Sequence, residues 1–361
     1  MKFASVTSSF WSGKRVFLTG HTGFKGSWLA FWLASMGAKV TGYALKPHTQ
    51  PNLFNTLGIF DLIEKSYIAD IRNLDNLQRT MIDAEPDILF HMAAQPLVRY
   101  SYLNPVETYA VNVMGTVNVL ESTRRIRSLR ATVVVTTDKC YENKEWDWGY
   151  REIEPMGGYD PYSNSKGCAE LVTSAYRQSY FSDNKSLLNH HAIASVRAGN
   201  VIGGGDWSED RLIPDAIKSF EAGRPLIIRN PFAIRPWQHV LEPLSGYLVL
   251  AEALYDKGID YASPWNFGPH QDDARPVNEV IDLLIAQWGG SAKWQSDNSD
   301  QPYESNMLKL DCSKAHSHLN WKPRWSLETA IKNIVTWHQA FQSNKNMHEI
   351  SLAQINQYMN S

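Results

Sequence analysis

The chain has 361 residues and a formal net charge of −2; 43% of its residues are hydrophobic and 20% are charged. This composition is typical of a globular protein with a sizeable core and excludes a disordered chain. With no basic excess, we expect neither nucleic acid nor an anionic membrane surface as a partner.

The cysteines and the apolar stretches indicate the compartment. Cys140, Cys168 and Cys312 are widely spaced and form neither a disulfide framework nor a metal-ligand pattern, so we expect no metal site. Residues 1–11 carry one lysine and no long apolar run, and residues 28–36 are too short an apolar stretch to span a bilayer. We therefore expect a cytoplasmic protein.

A glycine-rich turn lies near the start of the chain. The predicted order is strand, turn, helix and strand, at residues 14–19, 20–26 (GHTGFKG), 27–36 and 38–45. In this context the glycines let backbone N–H groups approach a pyrophosphate, and the helix N-terminus adds partial positive charge. The turn therefore predicts a dinucleotide site.

The end of the second strand bears on the choice of dinucleotide. Residues 43–46 read YALK and offer no acid for the ribose 2′-hydroxyl of NAD. Lys25 and Lys46 are the residues that could meet a 2′-phosphate, although a solvated surface lysine is the plainer interpretation of each. We expect NAD, and NADP stays open.

A third strand ends in polar residues. The apolar, β-branched run 131–135 predicts a buried parallel strand. Thr137, Asp138 and Lys139 follow it and should lie at the carboxyl edge of the sheet, where ligands of such sheets bind.

A helix that carries a tyrosine and a lysine follows further along the chain. Asp160 is a predicted N-cap and Pro161 the first helical residue. Tyr162 and Lys166 would then lie one turn apart on the same face. The lysine charge would lower the tyrosine pKa from about 10 and favour proton transfer. The same spacing is common on solvated helices, so this interpretation depends on the dinucleotide site upstream.

The second half predicts further strands and a helix. We expect strands at 192–197, 225–229 and 234–240, and a helix that begins near Arg211. His190 and His191 have no partner spacing for a metal, and we expect them on a loop surface.

These motifs resemble the extended branch of the short-chain dehydrogenase/reductase family. The GxxGxxG spacing, the small residues after strand 87–91 and the Thr137, Tyr162 and Lys166 set carry the resemblance, which covers about residues 13–337. It implies an α/β fold: a Rossmann-type doubly wound parallel sheet with a smaller, interleaved C-terminal lobe. The expected NAD-binding domain is 1–195 plus about 238–268, and the expected nucleotide-sugar lobe is 196–237 plus 269–361.

The resemblance also implies the site residues. The catalytic set is Thr137, Asp138, Lys139, Tyr162 and Lys166. The cofactor contacts are Gly20, Thr22, Gly23, Phe24, Lys25, Gly26, Asp70, Ile71, Ala93, Ala94, Tyr162 and Lys166. The substrate contacts are Asn200, Arg211, Arg235 and Asn266. Arginine gives bidentate bonds to phosphate, although a surface ion pair is an equally open interpretation of each arginine.

The residues after Thr137 indicate the reaction. Nucleotide-sugar 4,6-dehydratases carry Thr-Asp-Glu there, whereas this chain has Lys139 in place of the glutamate. The stretches 20–28, 137–146 and 235–243 resemble the branch of these enzymes that acts on CDP-glucose. This implies a hydro-lyase that forms CDP-4-dehydro-6-deoxy-D-glucose for dideoxyhexoses of bacterial O-antigen and lipopolysaccharide. It also implies a tightly bound, recycled NAD and a homodimer or homotetramer.

Alternatives remain open at this point. A 4,6-dehydratase for another nucleotide sugar would share the motifs, whereas an epimerase or reductase would not need Asp138 and Lys139. A redox-sensing binding protein would not need an intact Thr137, Tyr162 and Lys166. As acid and base, Asp138 has to be protonated and Lys139 neutral; burial favours these states and mutual attraction opposes them. We expect desolvation by the substrate to prevail.

Overall fold

The computed structural model describes residues 4–182, 191–297 and 305–361. Twelve strands occur in these ranges: β1 (Arg15–Thr19), β2 (Lys39–Ala44), β3 (Lys65–Ile68), β4 (Ile88–His91), β5 (Ala131–Val135), β6 (Ala192–Ala198), β7 (Asn200–Ile202), β8 (Leu226–Ile228), β9 (Ile234–His239), β10 (Pro264–Phe267), β11 (Ala274–Pro276) and β12 (Trp294–Ser296).

The α-helices of the same ranges are α1 (Ser8–Trp11), α2 (Phe24–Ser35), α3 (Leu53–Thr56), α4 (Ile59–Leu62), α5 (Leu74–Ala84), α6 (Val98–Leu103), α7 (Pro105–Tyr109), α8 (Gly115–Thr123), α9 (Pro161–Tyr180), α10 (Leu212–Glu221), α11 (Leu241–Lys257), α12 (Val277–Trp288), α13 (Ser313–Leu319), α14 (Leu327–Gln342) and α15 (Met347–Met359). A π-helical turn, Ala110–Met114, joins α7 to α8, and 3-10 turns occupy Asp138–Cys140, Gly258–Tyr261 and Gln271–Asp273.

A seven-stranded parallel sheet organises the molecule, in the order β10-β6-β5-β4-β1-β2-β3. Its inner strands β4, β5 and β6 are buried along their whole length, as expected of a sheet covered by helices on both faces. Separate apolar clusters lie on the two faces, one containing Trp28, Val133 and Leu248 and the other Leu77, Leu89 and Val119. The predicted Rossmann-type doubly wound fold is confirmed.

The order of the strands reverses beside β1, which pairs with β2 on one side and with β4 on the other. The loops that leave β1 and β4 therefore turn to opposite faces and open a crevice at the carboxyl edge of the sheet. This geometry places the glycine turn next to residues 92–95.

A smaller lobe has its own sheets and core. A three-stranded sheet has the order β11-β9-β7, and β8 pairs with β12. Helices α10, α12 and α14 enclose an apolar cluster that includes Ile213, Ile281 and Ile334. The chain returns to the large sheet with α11 and β10, while α15 packs on α2, where the rings of Trp32 and Tyr358 are 5.9 Å apart. The exact division into two domains stays a prediction.

Two details differ from the sequence-based expectations. Helix α2 begins at Phe24, because Gly23 already takes the extended N-cap conformation and the next residues are helical. His191 is buried instead of lying on a loop surface. Its Nε2 atom lies 2.8 Å from the hydroxyl oxygen of Thr132, near the start of β5. His190 lies outside the described residues. In the described ranges, no helix is long and apolar enough to cross a membrane.

Candidate active site

A cavity of about 1390 Å³ opens at the carboxyl edge of the large sheet. The glycine turn and the ends of β4 and β5 line one side, and residues of the smaller lobe line the other. Sites for a single small molecule usually occupy about 300–1,000 Å³. The cavity therefore has room for two ligands side by side.

The glycine turn has the shape of a dinucleotide cradle. Gly20 has a φ of 81°, and a Cβ atom there would lie 2.7 Å from the backbone nitrogen of Ala93. A Cβ atom on Gly26 would collide with the carbonyl oxygen of Gly20. The turn can thus be this tight only with glycine, and it brings the N-terminus of α2 to the cavity wall, where a pyrophosphate would fit.

The charge at this turn also suits an anion. Burial, together with the nearby charges of Lys166 and Arg211, lowers the pKa of Lys25 to about 7. A bound phosphate would relieve this repulsion and favour the protonated lysine. The predicted cofactor contacts Thr22, Gly23 and Phe24 line the same wall.

The far end of this wall carries the remaining predicted cofactor residues. Asp70 accepts a hydrogen bond from Arg72 Nε at 2.9 Å, which holds the pKa of its carboxyl below the usual range. Ile71, Ala93 and Ala94 also line the cavity. The hydroxyl of Thr19 accepts hydrogen bonds from the backbone nitrogens of Met92 and Ala93 at 3.0 and 3.1 Å. These bonds fix the end of β4 against the glycine turn.

The predicted tyrosine–lysine pair lies at the start of α9. Asp160 caps the helix as predicted, since its Oδ1 atom accepts the Ser163 backbone N–H at 2.9 Å. Tyr162 and Lys166 are both buried, and Lys166 Nζ donates to the Val135 carbonyl at 3.0 Å. The pair therefore stands against the end of β5.

The expected lowering of the tyrosine pKa is not found. Burial raises the pKa of Tyr162 to about 12, although the Thr137 hydroxyl lowers it in part. Burial also lowers the pKa of Lys166 to about 8. The physical reason is that desolvation disfavours the charged form of each group and is the largest cause of each shift.

Asp138 and Lys139 occupy a 3-10 turn directly after β5. Asp138 is 1% exposed, and its Oδ1 atom accepts a hydrogen bond from the Thr137 hydroxyl at 3.0 Å. Lys139 Nζ lies 3.6 Å from that oxygen and donates to Asn200 Oδ1 at 3.3 Å. The Oδ2 atom of Asp138 is buried and has no hydrogen-bond partner among the described residues.

The smaller lobe contributes three of the four predicted substrate contacts. Asn200, Arg211 and Arg235 line the cavity. Arg211 Nη1 donates to Asp206 Oδ2 at 2.8 Å, which keeps the guanidinium at the cavity wall. Arg235 is nearly fully buried and donates to the Ile234 carbonyl at 2.9 Å.

The structure does not bring Asn266 to the cavity, which corrects its predicted role. Asn266 is fully buried, and its Nδ2 atom donates to the carbonyls of Tyr150 and Asp311 at 2.8 and 3.0 Å. Its Oδ1 atom accepts the Tyr141 hydroxyl at 2.7 Å. The side-chain amide is thus used within the protein and has no bond to offer a substrate.

The sequence analysis missed two buried charges behind the site. Glu170 on α9 and Arg197 on β6 form an ion pair at 2.9 Å. The sequence did offer one signal for this pair. An arginine within the mostly apolar strand β6 is buried and therefore requires a partner of opposite charge inside the protein. In the described ranges, no group of three or more His, Cys, Asp or Glu residues is placed to hold a metal ion.

Comparisons with known proteins define the class. The chain belongs to the family described as GDP-mannose 4,6 dehydratase, whose family model matches residues 17–334. A curated relative, the CDP-glucose 4,6-dehydratase of Salmonella typhimurium, is 54% identical over 356 residues, which are 99% of this chain and 99% of the relative. The resemblance to CDP-glucose 4,6-dehydratase therefore extends over the whole chain.

Solved structures with lower identity show the fold. DesIV, a dTDP-glucose 4,6-dehydratase from Streptomyces venezuelae solved with NAD bound, has a TM-score of 0.77 at 21% identity and covers 92% of this chain and 98% of its own. The UDP-glucose 4-epimerase of Thermotoga maritima, solved with UDP-glucose, has a TM-score of 0.78 at 20% identity and covers 91% and 99%. The same fold thus serves proteins with different reactions.

Proposed function

We propose that this chain is a CDP-glucose 4,6-dehydratase, a lyase that converts CDP-D-glucose to CDP-4-dehydro-6-deoxy-D-glucose. The observation that carries the proposal is the convergence of Asp138 and Lys139 with Thr137, Tyr162 and Lys166 at one cavity wall. The relative that is 54% identical over the whole chain supports the substrate. An acid and a base beside a C4-oxidation site suit loss of water.

The cofactor of this proposal is NAD, held by the glycine turn, Asp70, Ile71 and the end of β4. The tight approach of Gly20 to Ala93 leaves space for a pyrophosphate at the N-terminus of α2. The related dTDP-glucose 4,6-dehydratase solved with NAD supports the choice of dinucleotide. The chemistry that NAD supplies when bound is storage of the hydride between its departure from C4 and its arrival at C6.

Tyr162, Thr137 and Lys166 carry the oxidation of C4 in this proposal. Tyr162, as phenolate, accepts the proton of the C4 hydroxyl, which the Thr137 hydroxyl orients. Because burial raises the pKa of Tyr162 to about 12, the phenolate needs the ammonium of Lys166 to stabilise it. With a pKa of about 8, Lys166 is mostly protonated at neutral pH.

Asp138 and Lys139 carry the elimination. The 4-keto group makes the proton on C5 acidic, and Lys139 removes it. Asp138 protonates the departing C6 oxygen, since it is among the residues that line the cavity beside Lys139.

The smaller lobe would hold the nucleotide part of the substrate. Arg211 and Arg235 offer guanidinium donors to the pyrophosphate, and Asn200 links this region to Lys139 through a 3.3 Å hydrogen bond. A substrate anchored here would place its sugar ring against the wall that carries Tyr162.

The experiment that tests this function is incubation of the purified protein with CDP-, dTDP- and GDP-sugars while water loss is followed. A 4-keto-6-deoxy sugar gives an alkali-induced absorbance, and we expect it with CDP-glucose. Formation of a C4 epimer, or consumption of reduced cofactor without water loss, would instead identify an epimerase or a reductase. Turnover of dTDP- or GDP-sugars alone would refute the CDP preference.

We also propose a cytoplasmic homo-oligomer, a dimer or a tetramer, that serves dideoxyhexose synthesis for O-antigen. Exposed apolar side chains on α6, α7 and α9, Leu103, Val106 and Leu171, support a partner surface on these helices. The three cysteines are unpaired, which suits a reducing compartment.

A further inference from the structure

A buried polar network lies directly behind the turn that carries Asp138 and Lys139. Its centre is the ion pair of Glu170 and Arg197, whose side chains are 4% and 2% exposed. Arg197 Nε donates to Oε1 of Glu170 and Nη2 donates to Oε2, each at 2.9 Å. Two parallel bonds fix the relative orientation of the two groups.

One side of the pair holds Thr136, which lies two residues before the Asp138–Cys140 turn. The hydroxyl of Thr136 donates to Glu170 Oε1, and the hydroxyl of Ser195 donates to Oε2 at 2.6 Å. On α9, Glu170 lies one turn after Lys166 and two turns after Tyr162. Glu170 therefore ties the end of β5 to the helix face that carries the tyrosine and the lysine.

The other side of the pair holds the residue after the turn. Arg197 Nη1 donates to the Tyr141 hydroxyl at 2.7 Å, and that hydroxyl donates to Asn266 Oδ1 at 2.7 Å. Tyr141 directly follows the Asp138–Cys140 turn and is 1% exposed. The network thus holds both ends of the segment that carries the acid and the base.

The ion pair of Glu170 and Arg197 stays charged at neutral pH and does not line the cavity. Burial alone would raise the pKa of Glu170, but the charge and hydrogen bonds of Arg197, with those of Ser195 and Thr136, hold it below its usual value. Glu170 and Arg197 are not among the residues that line the cavity, whereas Thr136 and Tyr141 are. Any effect of the ion pair on the reaction must therefore pass through residues 136–141.

We propose that Glu170, Arg197 and Tyr141 are positioning residues for the elimination step, because they fix Asp138 and Lys139 relative to Tyr162. This inference rests on the proposed dehydration. A sugar held at C4 by Thr137 and Tyr162 presents its C5 proton and C6 oxygen at fixed points, which the base and the acid must reach. Oxidation of C4 does not use Asp138 and Lys139, so it depends less on the turn.

The variant Tyr141→Phe tests the inference, since it removes one hydroxyl and keeps the ring. A misplacement of about 1 Å can cost about 100-fold in rate, so we expect elimination and C5 exchange with solvent deuterium to slow by about 10- to 100-fold. Formation of reduced cofactor in a single turnover should stay within about threefold of the native rate, and KM for CDP-glucose within about twofold. Reduced cofactor should then accumulate.

The matched control is Tyr358→Phe, far along the chain in α15. Its hydroxyl is also buried, donates to Glu242 Oε2 at 2.7 Å and lies 2.9 Å from Ser245 Oγ. We expect this control to lower the thermal unfolding midpoint without changing the ratio between the rates of C4 oxidation and elimination. The inference is overturned when Tyr141→Phe slows both steps in equal proportion, or slows neither. A native protein that removes no water from CDP-glucose would overturn the proposed function, and this inference with it.

Discussion

Lys139 shares its ammonium between two oxygens, and this arrangement bears on its role as the base. The Oδ1 atom of Asp138 is 3.6 Å away and the Oδ1 atom of Asn200 is 3.3 Å away. A substrate that enters between these groups would displace both contacts and bring its C5–H bond against the amine.

Replacement of Lys139 separates the two halves of the reaction. In Lys139→Met we expect C4 oxidation to remain measurable, because Thr137, Tyr162 and Lys166 are intact. Exchange of the C5 proton with solvent should fall by about 10²- to 10⁴-fold, the usual contribution of a general base. Mass spectrometry of CDP-sugars incubated in D₂O measures this. Lys144→Met, an exposed neighbour, is the control, and exchange at the native rate in Lys139→Met would rule out the proposed base.

Asn266 and Arg211 should respond differently to truncation. Asn266→Ala removes the hydrogen bonds to the carbonyls of Tyr150 and Asp311 and to the Tyr141 hydroxyl, so we expect it to lower the free energy of unfolding by about 1–3 kcal/mol. Its KM for CDP-glucose should stay near the native value.

Arg211→Ala should raise KM for CDP-glucose by about 10- to 100-fold through loss of a charge-assisted bond. Steady-state kinetics with chemical denaturation checks both, and a KM that rises with Asn266→Ala alone would restore its predicted role.

At the residue scale, the sequence predicted the groups that follow a strand or open a helix. Thr137 and Tyr162 could be placed because strand ends and helix caps have local signals. The role of Asn266 was wrong because its partners, Tyr141, Tyr150 and Asp311, come from distant segments that only the fold brings together.

At the scale of elements, the two helices that reach the cavity are α2 and α9. Each begins at the carboxyl edge of the sheet, α2 directly after the glycine turn and α9 behind the Asp160 cap. The start of α9 was predicted from its cap and proline, whereas α2 begins three residues before the predicted start. A glycine that permits close packing inside a helix cannot be distinguished by sequence pattern from a glycine of a turn, and Gly26 is such a residue.

The packing of Gly26 predicts the effect of a single methyl group. In Gly26→Ala the new Cβ atom would collide with the Gly20 carbonyl oxygen, so the turn and the helix must separate. We expect the protein to fold but to lose most of its affinity for NAD. Titration of the apoprotein with NAD by calorimetry measures this, with Ser35→Ala at the end of the same helix as the control. Native affinity in Gly26→Ala would show that the turn is not the cofactor cradle.

At the scale of the whole molecule, five histidines that are buried within the described ranges link stability to pH. Burial lowers the pKa of His91, His191 and His239 to about 3 and that of His21 and His338 to about 4. The unfolded chain binds protons at these groups near pH 6.5, so their stabilisation is complete above pH 6.5 and is lost as the pH falls toward 4. Carboxyl groups whose pKa burial raises act in the opposite direction: Glu242 and Asp215, raised to about 7 and 6, and Glu152, Glu252 and Asp273.

Between pH 7 and pH 5 the five histidines outweigh Glu242 and Asp215, the two carboxyl groups whose pKa is raised most, so acidification should destabilise the protein. We expect the thermal unfolding midpoint to fall by several degrees between pH 7 and pH 5, since each histidine contributes up to about 1.4 kcal/mol per pH unit. Calorimetry across this range is the measurement. His191→Gln, which can keep a bond to Thr132, should make the slope shallower, and a midpoint that is constant or rises on acidification would contradict the account.

The class of fold could be predicted from the sequence, whereas the assembly of the lobes could not. Apolar runs bounded by glycine and polar residues predicted the strands of the large sheet. The course of residues 343–361 had no local signal, and their helix α15 packs on α2 through contacts such as Trp32 with Tyr358. Contacts of this kind join segments that are hundreds of residues apart in the sequence and depend on their complementary shapes. No periodic pattern in the sequence predicts them.

The central claim is an internal transfer of hydride from C4 to C6 with loss of water. The most direct measurement uses CDP-glucose that carries deuterium at C4, with no reduced cofactor added. The account predicts a 4-keto-6-deoxy product that carries the deuterium at C6, and in D₂O a second deuterium at C5. Deuterium that is lost to solvent, or that is recovered at C4 of an epimerised sugar, would contradict it.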